Sequence, residues 1–178
     1  EEIFEEIPDV TSCSEGQIEN SEQEKVLTLI NFIRSLHGLK KVEYNNSGDI
    51  QTQKGAFICM VNNKLMHDPP KSSKCWTSEG AIGCRTSNLY GGVKGYWGTN
   101  YFISGWMQDN MVQSLGHRRW IIYPKLKYIS YGFVTGIEMA TSAALKVIWE
   151  EKYTNDELTG YNPDFVAFPF HDYPAVLV

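Results

Sequence analysis

The chain has 178 residues, 42% apolar and 13% aromatic, with a net charge of −5. That is enough apolar material for one domain with a real core, which excludes a disordered chain. The mild acidity, with basic residues paired only at Lys40-Lys41 and Arg118-Arg119, excludes nucleic acid as a partner. No apolar run approaches the ~20 residues that would make a transmembrane segment.

Residues 1–20 are acidic and aperiodic and read as an N-terminal arm ahead of a domain over residues 21–178. Ser21-Glu22-Gln23-Glu24 has the form of a capping box, with the Ser21 hydroxyl and Glu24 carboxylate placed to satisfy opening amides. Behind it Val26, Leu29, Ile30, Ile33 and Leu36 recur at helical spacing until Gly38 supplies the stop. A second helix is predicted from about Asp49 through Ile50, Phe57, Ile58 and Val61, ending near Asn62-Asn63.

Residues 67–98 are rich in Gly, Pro, Ser and Cys and predict only short pieces of regular structure. A short helix follows, with Phe102, Ile103, Trp106 and Met107 on one face. The period then changes to two. Tyr128–Val134 and Ser142–Trp149 predict strands around a turn near Gly136, with a further strand at Phe165–Phe168. Helices first and strands later point to an α+β fold in layers rather than a doubly wound parallel sheet.

Cys13, Cys59, Cys75 and Cys84 contain neither a CxxC pair nor zinc-ribbon spacing. Cys75 and Cys84 enclose a short loop with sharp turns at Gly80 and Gly83, so a Cys75–Cys84 disulfide is expected, with Cys13–Cys59 as the second pair. That implies an oxidising compartment, the alternative being four reduced, buried thiols.

Two of the four histidines stand in unusual settings. His67 precedes the rigid Asp68-Pro69-Pro70, and His117 follows Gly116, eight residues after Asp109. Two imidazoles and a carboxylate converging on a cleft would make a three-ligand site for a divalent cation, zinc first and calcium or magnesium next. The plainer alternative is that each histidine is a hydrogen-bonded structural residue.

The order of motifs over residues 21–150 resembles the CAP superfamily, the group of cysteine-rich secretory proteins, venom allergens and plant pathogenesis-related proteins. Asn31-Phe32-Ile33-Arg34 leading to Gly38-Leu39 is similar to the family's opening helix and turn. Leu65-Met66-His67 resembles the segment with its first cleft histidine, Trp106-Met107-Gln108-Asp109 its Trp-x-x-Glu motif, and Gly116-His117 its second cleft histidine. The run Gly116-His117-Arg118-Arg119-Trp120 with Pro124 is closest to the bacterial branch.

The resemblance implies an α-β-α sandwich with helices on both faces of a small, mainly antiparallel sheet. It also implies a cleft that collects two histidines and two acids. His67, His117 and Asp109 supply three of these, but Ser87 stands where the family has its other Glu. Asp68 and Glu79 are the candidate substitutes.

Three functional readings follow. The first is a non-enzymatic module, secreted or held at the cell envelope, binding a divalent cation and a lipid or other small apolar or extended ligand. Tyr90, Tyr96, Trp97, Tyr101 and Trp120 supply aromatic material for such a groove. The second is a hydrolase using Ser87, His117 and Asp109 as nucleophile, base and orienter, although Ser87 lacks a Gly-x-Ser-x-Gly elbow. The third is an adhesion module for an extracellular protein, with a vestigial cleft.

Overall fold

The computed structural model describes residues 3–94, 98–110, 112–135, 140–150 and 166–169. Strands β1 (Phe4–Glu6) and β2 (Gln17–Ile18) precede α1 (Asn20–Leu36), β3 (Glu43–Tyr44), α2 (Asp49–Val61), α3 (Ser78–Thr86) and β4 (Ser87–Lys94). Then come α4 (Thr99–Gln108), α5 (Gly116–Ile121), β5 (Tyr128–Val134) and β6 (Ala140–Lys146).

The main sheet has the order β3-β5-β6-β4. Only β3 and β5 run parallel; β5 with β6 and β6 with β4 are antiparallel. Successive side chains of a strand point to opposite faces, and here both faces are apolar. Ile129, Tyr131 and Phe133 of β5 and Ala143 and Leu145 of β6 pack with α1, α4 and α5. The alternate residues Val134 and Ala144 pack with Ala56, Phe57, Cys59 and Met60 of α2. The molecule is therefore the expected α-β-α sandwich.

Helix α1 buries Val26, Ile30 and Ile33 along one stripe and ends at Gly38, whose φ of +66° is a left-handed stop. Its start differs from expectation. The helix begins at Asn20 behind Glu19, which makes no side-chain cap bond, so the Ser21–Glu24 box is not formed. Glu22 is buried instead, and its carboxylate accepts the Thr99 hydroxyl and pairs with Lys25. One turn before the stop, the buried Arg34 guanidinium donates to the carbonyls of Lys40, Ile121, Tyr123 and Leu126.

Helix α3 and strand β4 lie where only short pieces were expected. Thr77 caps α3 by accepting the Gly80 amide at 3.0 Å. Glycine serves close packing here: a Cβ on Gly83 would sit 1.8 Å from the Gln51 carbonyl oxygen of α2. That use of glycine reads as loop composition in the sequence.

The cysteine pairing is also corrected. The disulfide joins Cys13 to Cys75, and Cys59 and Cys84 are buried thiols. Cys75–Cys84 fails because α3 intervenes. Cys84 lies within the helix and turns to Cys59, while Cys75, ahead of the helix, is bonded to Cys13. Cys13–Cys59 fails because the Cys59 side chain turns inward on α2, into the core cluster that contains Cys84.

Strand β6 begins at Ala140, two residues before the expected start, and ends at Lys146. Among the described residues, 166–169 form no strand. Phe165 and the turn at Gly136 lie outside the described residues.

The acidic N-terminal segment is tied down at several points. Phe4 contacts Phe133 at 5.5 Å, the Glu15 carbonyl accepts Gln53 Nε2, and Glu15 pairs with Lys54 at 3.7 Å. Among the described residues, no helix is long and apolar enough to cross a membrane.

Candidate functional site

The corner between α4 and α5 builds the site. Helix α4 buries Phe102, Ile103, Trp106 and Met107 and ends at Asp109, in a left-handed conformation with φ 52°. Leu115 takes the same conformation, φ 50°, immediately before α5. These two residues bracket the corner, and each costs roughly 1 kcal/mol or more for a side chain in that region.

The corner brings Asp109 against His117. Asp109 Oδ1 lies 2.7 Å from His117 Nδ1, and Oδ2 accepts the Arg118 amide at 3.2 Å. A carboxylate only accepts, so Nδ1 carries the proton, and in the neutral imidazole Nε2 is left as an acceptor. Asn88 Nδ2 donates to the His117 carbonyl and fixes the residue from β4. Arg118 donates Nε to Met107 O and a terminal nitrogen to Gln108 O, satisfying end carbonyls of α4. Its guanidinium also lies 3.7 Å from the centre of the Phe168 ring.

Beside this pair opens a cleft of about 220 Å³ lined by Leu65, Leu89, Tyr90, Gly91, Gly105, Trp106, Gln108, Asp109, Asn110, Val112 and His117. The Trp106 indole donates to Leu89 O at 3.0 Å and is itself buried, so it supports the cleft wall. Tyr90 stands edge-on to Tyr101 at 5.6 Å. Of the aromatics expected to line a groove, Tyr90 alone among the described residues does so. Tyr101 packs behind it, Trp120 packs on the core and against Tyr123, and Tyr96 and Trp97 lie outside the described residues.

His67 does not join His117 and Asp109. It is exposed, and its Nδ1 lies 2.8 Å from the Cys84 carbonyl, an end carbonyl of α3. Among the described residues no group of three His, Cys, Asp or Glu side chains is placed to hold a metal ion. Asp109 already spends both oxygens on protein donors, and the nearest imidazole turns Nδ1 to it. Among the described residues, then, no three-ligand divalent cation site is assembled around this pair. Neither candidate substitute reaches the cleft. Asp68 is exposed beside Arg85, and Glu79 lies in the first turn of α3 accepting Ser78.

Ser87 is not assembled with the pair either. It is absent from the cleft lining, and its buried Oγ has no hydrogen-bond partner among the described residues. What the corner offers is a histidine oriented by a carboxylate, two of the three parts of a hydrolytic triad.

Asn88 and Arg118 carry much of the positioning. In the sequence Asn88 stands out only as the neighbour of Ser87, and Arg118 is a candidate to pair with a cleft or surface carboxylate; its side chain instead takes the end carbonyls of α4.

The family model of the cysteine-rich secretory proteins, CAP, matches residues 27–138, more than half of the chain. Among solved structures, an extracellular protein containing an SCP domain from Bacillus anthracis str. Ames is 18% identical with a TM-score of 0.41. The match covers 73% of this chain and 42% of that one, so the chain spans less than half the length of that protein. MpPR-1i, in a crystal soaked with selenourea, is 14% identical with a TM-score of 0.46, covering 74% and 95%. No curated protein matches the chain.

Proposed function

Because this chain belongs to the CAP family of cysteine-rich secretory proteins, we propose that it works outside the cytoplasm as a binding module, holding a small apolar ligand or one end of an extended one in the cleft beside His117. The observation that carries this reading is the cleft itself. Apolar walls from Leu65, Leu89, Tyr90, Trp106 and Val112 meet one oriented imidazole, and the Ser87 hydroxyl does not reach it.

Size narrows the ligand. A space of about 220 Å³ is below the ~300–1,000 Å³ of pockets that enclose a drug-sized molecule. A short alkyl or single-ring group fits that space; a larger ligand must extend along the surface. His117 Nε2 as an acceptor favours a ligand with a hydroxyl or amide N–H on that group. No step is assigned to a divalent cation.

The test is a titration of ¹⁵N-labelled protein with 1-hexanol and with N-acetyl-leucine amide, followed by NMR. Saturable shifts are expected at the Trp106 indole and at the amides of Leu89, Asp109 and His117. They should vanish in Val112→Trp, which fills the cleft. Shifts that never saturate, or that persist unchanged in the variant, would refute the reading.

A further inference from the structure

Cys59 and Cys84 are the two cysteines that the Cys13–Cys75 bond leaves over. Their sulfurs touch at 3.9 Å, both side chains are buried, and the Cys84 thiol also donates to the Gly55 carbonyl at 3.4 Å. The contact is built into the helix packing. Gly83 lets α3 approach Gln51 of α2, and a Cβ on Gly55 would meet the Cys84 amide nitrogen at 3.0 Å. A disulfide needs about 2.05 Å between sulfurs, so a closure of roughly 2 Å separates this pair from a bond.

We propose that Cys59 and Cys84 form a second disulfide, a covalent staple between α2 and α3, made by exchange with a disulfide oxidant. The Cys59 thiolate attacks one sulfur of the oxidant, whose other half leaves as a thiol. The Cys84 thiolate then displaces the remaining half. One sulfur–sulfur bond forms and the oxidant's breaks; the protein gives up two electrons and two protons, which end on the oxidant's two thiols.

The order of events follows from burial. Contact with Cys59 and burial push the Cys84 thiol well above its ordinary range, while the hydrogen bond from Cys84 lowers Cys59, so in the docked pair Cys84 stays a thiol and both sulfurs are shielded from an oxidant. The bond therefore forms before α3 closes on α2 and is sealed in afterwards. It fixes the last turn of α3, whose Cys84 carbonyl holds His67. The inference is independent of the ligand reading and rests only on an oxidising environment, which the test supplies directly.

Protein reduced in denaturant is refolded in a glutathione redox buffer, acid-quenched, denatured and alkylated with N-ethylmaleimide before peptide mapping. The expected result is no alkylated cysteine and one peptide cross-linking Cys59 to Cys84. Alkylation of both Cys59 and Cys84, or any other pairing of them, overturns the proposal. In Cys13→Ser/Cys75→Ser the remaining two sulfurs should stay protected, and reductant should lower the Tm by about 5–10 °C. A folded variant whose Tm ignores reductant overturns it as well, and the wild-type map decides the matter if the variant does not fold.

Discussion

Arg34 and Asp49 show how much a single buried polar residue can govern. Burial lowers the Arg34 pKa to about 10, so the guanidinium is still charged at neutral pH, and its partners are backbone carbonyls. These belong to the turn after α1, to the last residue of α5 and to the segment between α5 and β5, so one side chain ties together parts of the chain 87–92 residues apart. Arg34→Met keeps the packing but strands those acceptors, at about 1–3 kcal/mol for each one left unsatisfied. Partial rescue by relaxation leaves an expected loss of about 3–4 kcal/mol, read from urea unfolding midpoints. Asp49 acts in the opposite direction. Burial, moderated by the Tyr44 hydroxyl at 2.9 Å and Gln23 Nε2 at 3.2 Å, raises its pKa to about 6. The native carboxyl thus holds a proton that the unfolded chain has lost. This contribution is complete below pH ~4 and disappears as the pH rises through about 6, a swing on the order of 2 kcal/mol. The stability of wild type relative to Asp49→Asn should fall by that amount between pH 4 and 7. A pH-independent difference between the two would show that Asp49 is ionised throughout.

At the scale of elements, the site belongs to one corner, and that decides what it can bind. Asp109 and His117 lie eight residues apart on either side of the α4–α5 turn, so folding that turn alone brings them together. For that reason the pair was legible in the sequence. His67 had no such local guarantee. It sits on the segment between α2 and α3, where the end carbonyl of Cys84 captures its ring. Ser87 starts β4, and its buried hydroxyl stays apart from the cleft. Residue types and motif order named the candidates, but which of them meet was set by which carbonyls and amides needed partners. A metal titration follows from this. Wild type and His67→Ala/His117→Ala should give the same calorimetric heats with zinc. A saturable wild-type isotherm lost in the variant would mean that the α2–α3 segment can move to bring His67 to the cleft.

For the whole molecule, the sandwich was legible wherever one face of an element carried the signal. Val26, Ile30 and Ile33 fixed the stripe of α1, and Tyr128–Val134 fixed β5 to the residue. Helix α3 was hidden because its glycines serve contact with α2, and glycine in sequence reads as a turn. The same oversight misplaced the disulfide, since a loop would let Cys75 and Cys84 meet, whereas α3, which begins at Ser78, carries Cys84 inward to Cys59. With Cys13–Cys75 the actual bond, the acidic N-terminal segment becomes part of the fold's stability. The bond spans 62 residues, a closure worth about 4 kcal/mol on the chain-entropy argument, or roughly 10 °C in Tm for a chain of this size. Without it, the segment is left with the short β1–β2 pair, the Phe4–Phe133 contact and the Glu15 bonds to α2. Cys13→Ser/Cys75→Ser should therefore melt about 10 °C lower than wild type. Limited proteolysis of the folded variant should cut first within residues 7–15, between the two strands, while the sandwich survives intact. A variant cut first elsewhere, or one as stable as wild type, would show that β1 and β2 hold the segment without the bond.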